Sequence, residues 1–183
     1  AWPSHYFDEP LISLYRHVFN MLRNEDPAAF YQLTDMLHRY GAALGKEEAI
    51  GLYAYAQNFC IGMINRGEIR YLQNLFELYS STLSTGLLLE EGELDHRQYK
   101  NIVTVGLRLS KYEWVEEFLE NNKTFLPPKY RENTYVINLA SLRYEQKRYH
   151  EALGLLQQLE FTDVYYQLTA RVMMLKIYFE QGE

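Results

Sequence analysis

The most constraining feature of this chain is a stretch of two amphipathic segments at residues 133–160. In the first segment Val136, Ala140 and Tyr144 recur on one face at a spacing of four residues. In the second segment the apolar set at three- and four-residue spacing is Tyr149, Ala152, Leu153, Leu156 and Leu159. This period predicts two α-helices that each bury one face. The polar residues 145–148 between them predict a tight turn, so the stretch predicts a helix pair.

The same pattern recurs elsewhere when the turn residues are used as anchors. The anchors are Gly67, Ser110, Lys147 and Gly182. Seven positions before the anchors stand Cys60, Val103, Ala140 and Leu175, and three positions before them stand Ile64, Leu107, Tyr144 and Phe179. Five positions after the first three anchors stand Leu72, Val115 and Ala152. Registered columns of this kind indicate an internal repeat rather than a set of unrelated helices.

This register resembles tetratricopeptide repeats, which are helix–turn–helix units of about 34 residues. The resemblance covers residues 53–80, 96–127, 133–160 and 168–182, whereas 9–44 fits only as an antiparallel helix pair. The small residue expected at the close helix crossing is present as Ala152 and replaced by Leu72 and Val115. The repeats are therefore divergent, and a related α-solenoid stays open. Because such repeats stack, the resemblance implies an all-α fold, a right-handed α-α superhelix.

We predict nine helices, arranged as the pairs 9–44, 47–84, 96–126 and 131–160 followed by a ninth helix. The apolar positions of the ninth helix are Leu168, Val172, Leu175, Tyr178 and Phe179. Residues 84–95 contain two glycines and several acids and predict an exposed loop. No segment alternates apolar and polar residues over a length that predicts strands. No linker divides the chain, so we predict a single repeat domain over residues 1–183. The apolar residues on both sides of the ninth helix favour a natural chain that continues further.

Charge and cysteine content narrow the class of partner. The net charge is −6, and the 18 Lys and Arg residues are scattered among 24 acids. A nucleic-acid surface needs a basic stripe, so we predict no nucleic-acid partner. No apolar run reaches the ~18 residues of a membrane span, so we predict no membrane insertion. Cys60 is the single cysteine, which favours a reducing compartment, the cytoplasm. The oligomeric state stays open.

The sequence contains no constellation that predicts catalysis. The five histidines are spread over different segments, and no HExxH or CxxC spacing suggests a metal site. There is no glycine-rich phosphate loop and no GxSxG motif. Cys60 falls in an apolar column and is expected to be a small buried residue rather than a nucleophile. We therefore predict a protein that is not an enzyme and needs no metal or cofactor.

What remains is a binding surface. In the family that this chain resembles, the first helix of each pair lines a concave groove that holds peptides or helices. Nine positions before the anchors stand Asn58, Asn101 and Asn138, and Lys100 precedes Asn101. An Asn side chain both donates and accepts, so these residues could bond the backbone of an extended peptide, with Lys100 attracting a carboxylate. The alternative is that these Asn residues are structural and bond to neighbouring helices.

A more specialised peptide site is not supported. Chaperone-binding repeats hold a terminal carboxylate with a Lys that is followed one turn later by Asn. Here Lys100 is followed by Thr104, and the later helix offers Thr169 and Met173 where basic residues are wanted. Two hypotheses remain. The chain is a non-catalytic scaffold that binds a protein or peptide segment in a groove, or it is a peptide-sensing regulatory module of a larger protein with an effector domain.

Overall fold

The computed structural model describes residues 5–159 and 164–182, and these residues are almost entirely helical. The helices are α1 His5–Asn24, α2 Pro27–Tyr40, α3 Lys46–Asn65, α4 Tyr71–Ser84, α5 His96–Arg108, α6 Tyr112–Asn122, α7 Arg131–Glu145, α8 Tyr149–Gln157 and α9 Val164–Gln181. Short 3₁₀ turns follow α2 and α6. The all-α prediction is confirmed. The first helix starts at His5 rather than near residue 9, and residue 160, the predicted end of the fourth pair, lies outside the described residues.

The segment predicted as an irregular loop contains a small β-hairpin. Strands β1 Leu89–Glu90 and β2 Glu93–Leu94 pair antiparallel, with Leu89 opposite Leu94. The two residues between them, Glu91 and Gly92, have φ values of 51° and 84°. Two successive residues with positive φ are typical of the type I′ turn, whose twist suits a two-residue hairpin. The prediction of no strands is therefore wrong here. The reason is that strands of two residues are too short to show a period-two pattern.

The chain divides into two compact units, residues 1–88 and 89–183. In the first unit α1 packs on α2 and α3, and α3 packs on α4. Its core includes an aromatic cluster of Phe30, Phe59 and Tyr71, whose ring centroids lie 5.3 to 5.6 Å apart. In the second unit α7 is central and contacts α5, α6, α8 and α9. The single domain over residues 1–183 stays a prediction.

The four anchor residues end their helices with the same backbone conformation. Gly67, Ser110, Lys147 and Gly182 have φ values of 93°, 56°, 60° and 78°. The amides of the first three anchors donate to the carbonyl three residues back, at 2.9 to 3.0 Å. The next residue in each case donates to the carbonyl five residues back, at 2.8 to 3.0 Å. This bond pair is the Schellman motif, so α3, α5 and α7 share one C-terminal cap although only one anchor is glycine.

The α5–α6 crossing accommodates a residue that is larger than the expected Ala. Val115 is buried where Ala152 stands in the next pair, and the facing position in α5 is Gly106. A Cβ atom on Gly106 would lie 2.5 Å from a Val115 methyl carbon. The missing side chain on α5 therefore compensates for the extra methyl groups on α6.

The last helix buries the opposite face from the one that its apolar positions suggested. Leu168, Val172, Leu175 and Phe179 are exposed, whereas Tyr166, Ala170 and Ile177 are buried with residues of α7 and α8. Both faces of α9 are apolar, so the period alone could not choose between them. Packing against α7 determines which face of α9 is buried.

Candidate functional site

A cleft of the second unit lies among α5, α7 and α9, and we call it the basic cleft. Its volume is about 640 Å³. It is lined by His96, Arg97, Lys100, Asn101, Tyr130, Thr134, Ile137, Asn138, Tyr166 and Thr169. The basic residues of this lining are His96, Arg97 and Lys100, and no Asp or Glu is found among the described residues that line it. Since the whole chain carries a net charge of −6, this concentration of bases is local.

A helix cap, a ring stack and a pair of hydrogen bonds fix the starts of α5 and α7, which form two edges of the basic cleft. Asp95 caps α5, because its carboxylate accepts from the amides of Arg97 and Gln98 at 2.9 and 3.1 Å. The imidazole of His96 stacks on the ring of Tyr130 with centroids 4.2 Å apart. At the first residue of α7, the Arg131 guanidinium donates to the Leu126 carbonyl of the preceding turn at 2.9 and 3.1 Å. These bonds fix the start of α7, and therefore Tyr130, against the start of α5.

The floor of the basic cleft is a buried polar cluster. The hydroxyls of Thr134 and Tyr166 lie 2.8 Å apart and join α7 to α9. The Asn138 side-chain amide donates to the Thr134 carbonyl at 2.7 Å, and Asn138 is only 4 % exposed. One of the two N–H donors of this amide is therefore used within its own helix. The cluster leaves the floor polar but rigid, because its groups are held by bonds between or within helices.

A second cleft adjoins the first along the same three helices, and we call it the lower cleft. Its volume is about 500 Å³, and Thr169 lines both clefts. The other lining residues are Thr104, Leu107, Arg108, Ser141, Tyr144, Glu145, Leu168, Val172, Met173 and Lys176. Here Arg108 and Lys176 face one acid, Glu145, and an apolar wall from α9. Together the two clefts form a groove whose described lining includes four Lys and Arg residues and one acid, Glu145.

Three of the four residues predicted for peptide binding line the basic cleft. These are Lys100, Asn101 and Asn138. Lys100 and Asn101 are exposed, whereas Asn138 belongs to the buried floor. Asn58 lies on α3 in the first unit, where it is exposed. Their role in binding stays a prediction.

Most of the positive charge in this groove is not predicted by the repeat register. Arg97, Arg108 and Lys176 occupy positions that belong to none of its columns. A detectable signal was present on α5, where Arg97, Asn101, Thr104 and Arg108 follow one another at four, three and four residues. This is the polar stripe of an amphipathic helix.

The first unit has a smaller cleft of the opposite charge, which we call the acidic cleft. It measures about 300 Å³ and lies among α2, α3 and α4. Its lining residues are Tyr31, Thr34, Asp35, His38, Tyr53, Asn74, Glu77, Leu78 and Ser81. Asp35 is paired with Arg39 at 2.8 Å, and the Tyr53 and Ser81 hydroxyls lie 2.9 Å apart. Much of its polar surface is therefore already partnered.

The described residues contain neither a metal-binding cluster nor a membrane-spanning helix. Over residues 5–159 and 164–182, no three His, Cys, Asp or Glu side chains come close enough together to hold a metal ion. Within the same ranges, no helix has both the length and the apolar character needed to cross a bilayer. Burial raises the pKa of the Cys60 thiol to about 12, so this thiol is protonated at neutral pH.

Comparison with known proteins adds no family to this description. No family model, no curated protein and no solved structure matches the chain.

Proposed function

We propose that this chain is a non-catalytic binding protein that holds an extended acidic peptide segment in the groove formed by α5, α7 and α9. The observation that carries the proposal is the charge of that groove. Four Lys and Arg residues line it on a chain with an excess of acids. Opposite charge on the ligand would both attract it and set its register.

We further propose that the helix pairs are divergent tetratricopeptide-like repeats, stacked within each unit with the right-handed turn of such repeats. The shared Schellman caps at Gly67, Ser110 and Lys147 support this assignment. So does the position of α5, α7 and α9, which are the first helices of successive repeats and line one groove. First helices are the groove-lining ones in the family that the sequence resembles.

The spacing of the charges suggests a length scale for the ligand. Lys100 and Arg108 are eight residues apart on α5, which corresponds to about 12 Å along a helix. An extended peptide covers that distance in about four residues. We therefore expect acidic side chains about four residues apart. Between them, apolar side chains would meet the wall formed by Val172 and Met173.

The polar residues of the groove would then hold the peptide backbone. Asn101 is exposed on the wall of the basic cleft and offers both a donor and an acceptor. Asn138 and the Thr134–Tyr166 pair act differently, because their bonds stabilise the floor beneath the peptide. Asn101 is thus a contact residue and Asn138 a positioning residue.

Selection from a library of random linear peptides tests this function without assuming a partner. The full chain is the bait, and the double variant Arg97→Ala/Lys100→Ala is used for counter-selection. We expect enriched peptides that carry two Asp or Glu residues about four positions apart and that bind the wild type alone. Enrichment of basic or featureless peptides, or equal binding to the variant, would contradict the proposal.

A further inference from the structure

The arginines of the groove differ from other arginines of the chain in their partners. Arginines outside the groove form ion pairs with carboxylates, in the pairs Arg39–Asp35, Arg66–Glu25, Arg70–Glu68, Arg143–Glu116 and Arg148–Glu151. In the groove, Arg97 and Arg108 have no ion pair with any residue that the structure describes. This is so although the chain has 24 acids for 18 Lys and Arg residues. The two guanidinium groups are therefore available to an anion from outside the chain.

The basic cleft gathers three basic side chains within the first turns of α5. Arg97 and Lys100 are three residues apart, so they lie on one face of the helix, and both are exposed. His96 precedes them and lines the same cleft. The adjacent acid, Asp95, lies 3.7 Å from His96, but its carboxylate caps α5 and is not among the described groups that line the cleft. An anion in this cleft therefore meets several donors at once.

The lower cleft is less positive. Arg108 and Lys176 line it, but Glu145 lines it as well, and its apolar wall includes Val172 and Met173. A second negative charge on the ligand would be repelled by the acid of this cleft. In the basic cleft the same charge would meet bases and no acid among the described lining residues. The difference favours the more highly charged end of the ligand in the basic cleft.

A phosphoryl group matches the donors of the basic cleft better than a carboxylate does. A phosphorylated side chain carries about −1.5 to −2 charges at neutral pH and has three acceptor oxygens, whereas a carboxylate has a single charge on two oxygens. The planar guanidinium of Arg97 suits two phosphoryl oxygens at once, and the Lys100 ammonium suits the third. The cleft volume of about 640 Å³ leaves room for such a side chain together with its backbone.

We propose that the basic cleft is a phosphoryl-binding subsite, in which Arg97 and Lys100 hold a phosphorylated side chain of the ligand. The inference rests on the proposed function, since it specifies one residue of the same acidic peptide. The ligand is then a phosphopeptide with an Asp or Glu about four positions from the phosphorylated residue. That second acid lies against Arg108 and Lys176 in the lower cleft.

Calorimetric titration of the full chain with matched peptides tests the subsite. The reference peptide has Glu at two positions four residues apart. Two phosphopeptides carry phosphoserine at the first or the second of these positions, and a fourth peptide has Gln at both. We expect one phosphopeptide to bind about tenfold more tightly than the Glu peptide, because only one position reaches the basic cleft. The other phosphopeptide should bind within about threefold of the Glu peptide.

The outcomes separate this inference from the proposed function. No gain from either phosphoserine, or an equal gain from both, would overturn the subsite. If the Glu peptide still bound more tightly than the Gln peptide, the acidic-peptide function would stand. Equal binding of the Glu and Gln peptides, with a gain from one phosphoserine, would support the subsite and contradict recognition of unmodified acidic peptides.

Charge variants locate the gain within the groove. Arg97→Gln/Lys100→Gln should abolish the advantage of the phosphopeptide over the Glu peptide, because it removes the donors of the basic cleft. The matched control Arg108→Gln/Lys176→Gln removes the same charge from the lower cleft and should weaken both peptides alike. All four positions are exposed, so helical circular dichroism should not change. A phosphopeptide advantage that survives in the first variant, or is lost in the control, would overturn the subsite.

Inorganic phosphate separates a peptide-bound phosphoryl group from the free ion. Its affinity for the full chain should be at least about 100-fold weaker than that of the tighter phosphopeptide, because the rest of the peptide adds contacts along the groove. Inorganic phosphate that binds as tightly as the phosphopeptide would contradict a peptide subsite.

Discussion

The basic cleft of the second unit and the acidic cleft of the first unit are built from different helices and carry opposite charge. The basic cleft lies among α5, α7 and α9, which are first helices in the predicted pairing, and measures about 640 Å³. The acidic cleft lies among α2, α3 and α4, of which α2 and α4 are second helices in that pairing, and measures about 300 Å³. The two clefts therefore differ in size, in charge and in the helices that line them.

The two clefts also differ in how their polar groups are used. Asp35 in the acidic cleft has a salt-bridge partner, and the Tyr53 hydroxyl is bonded to Ser81. In the basic cleft the hydrogen bonds of Thr134, Asn138 and Tyr166 form the floor. The wall is more accessible, since Lys100 and Asn101 are exposed. Because the chain carries an excess of acids, the positive lining of this cleft is a local departure from the charge of the whole chain.

The largest effect is expected from disturbing the packing behind the basic cleft. Gly106→Val would drive new methyl groups into Val115, because a Cβ atom at this position already lies 2.5 Å from a Val115 methyl carbon. We expect the free energy of unfolding of the second unit to fall by about 3 kcal/mol. Gly62→Val on α3 is the control, since nothing lies within 4 Å of its Cβ position. Urea unfolding measures both, and equal losses would show that the α5–α6 crossing is not tight.

The two Asn residues of the basic cleft should separate into a floor residue and a wall residue. Asn138→Ala removes a buried hydrogen bond to the Thr134 carbonyl and should cost about 1.5 kcal/mol of stability. Asn101→Ala, on the exposed wall, should change the melting temperature little while weakening peptide binding. Thermal melts and peptide titrations of the single variants decide this. An unchanged melting temperature for Asn138→Ala would show that Asn138 does not stabilise the fold, as expected of a residue that contacts the ligand instead.

The sequence predicts the helices of this fold better than the faces that they bury. Within the described residues, the period and the turn residues predict the nine helices and the three turns with Schellman caps, because these are properties of local sequence. They could not orient α9, which is apolar all round and whose buried face depends on α7. The same limit applies to the site. Asn138 shares a column with Asn101 yet lies in the buried floor, where it is bonded to the carbonyl of Thr134, whose hydroxyl is bonded to Tyr166 of α9.

A smaller effect is expected from the ion pair on the far side of α7. The Arg143 guanidinium lies 2.5 Å from Glu116 of α6 and 3.7 Å from Glu151 of α8. The hydrogen bond from Arg143 lowers the pKa of Glu116. Arg143→Met should cost about 1 kcal/mol, because Glu116 is 43 % exposed and solvent screens the pair.

The pH dependence of this pair follows from the direction of the pKa shift. A carboxylate with a lowered folded-state pKa stabilises the protein above its unfolded pKa, and this contribution is lost as the pH falls through the folded value. The difference in melting temperature between wild type and Arg143→Met should therefore shrink below about pH 4. A constant difference down to pH 2 would exclude a role for the Glu116 charge.

The smallest effect is expected in the first unit and has the opposite sign. Among the described residues the buried Tyr71 hydroxyl has no hydrogen-bond partner, and the ring packs against Phe30 and Phe59. Tyr71→Phe keeps the ring and removes the unpaired hydroxyl, so it should stabilise the first unit by about 0.5 kcal/mol. Chemical denaturation checks the sign. A clear loss of stability would indicate that the hydroxyl has a partner.

Binding of an acidic peptide in the groove formed by α5, α7 and α9 is tested most directly by calorimetric titration of charge variants. The probe is a synthetic linear peptide with two Glu residues four positions apart. Its control is the same peptide with Gln at both positions. Arg97→Glu/Lys100→Glu should weaken binding of the Glu peptide by about 100-fold, or tenfold for each charge. Arg16→Glu/Arg39→Glu makes the same change in net charge on exposed residues of the first unit and should leave the affinity nearly unchanged. Equal losses for the two variants, or equal binding of the Glu and Gln peptides, would contradict the account.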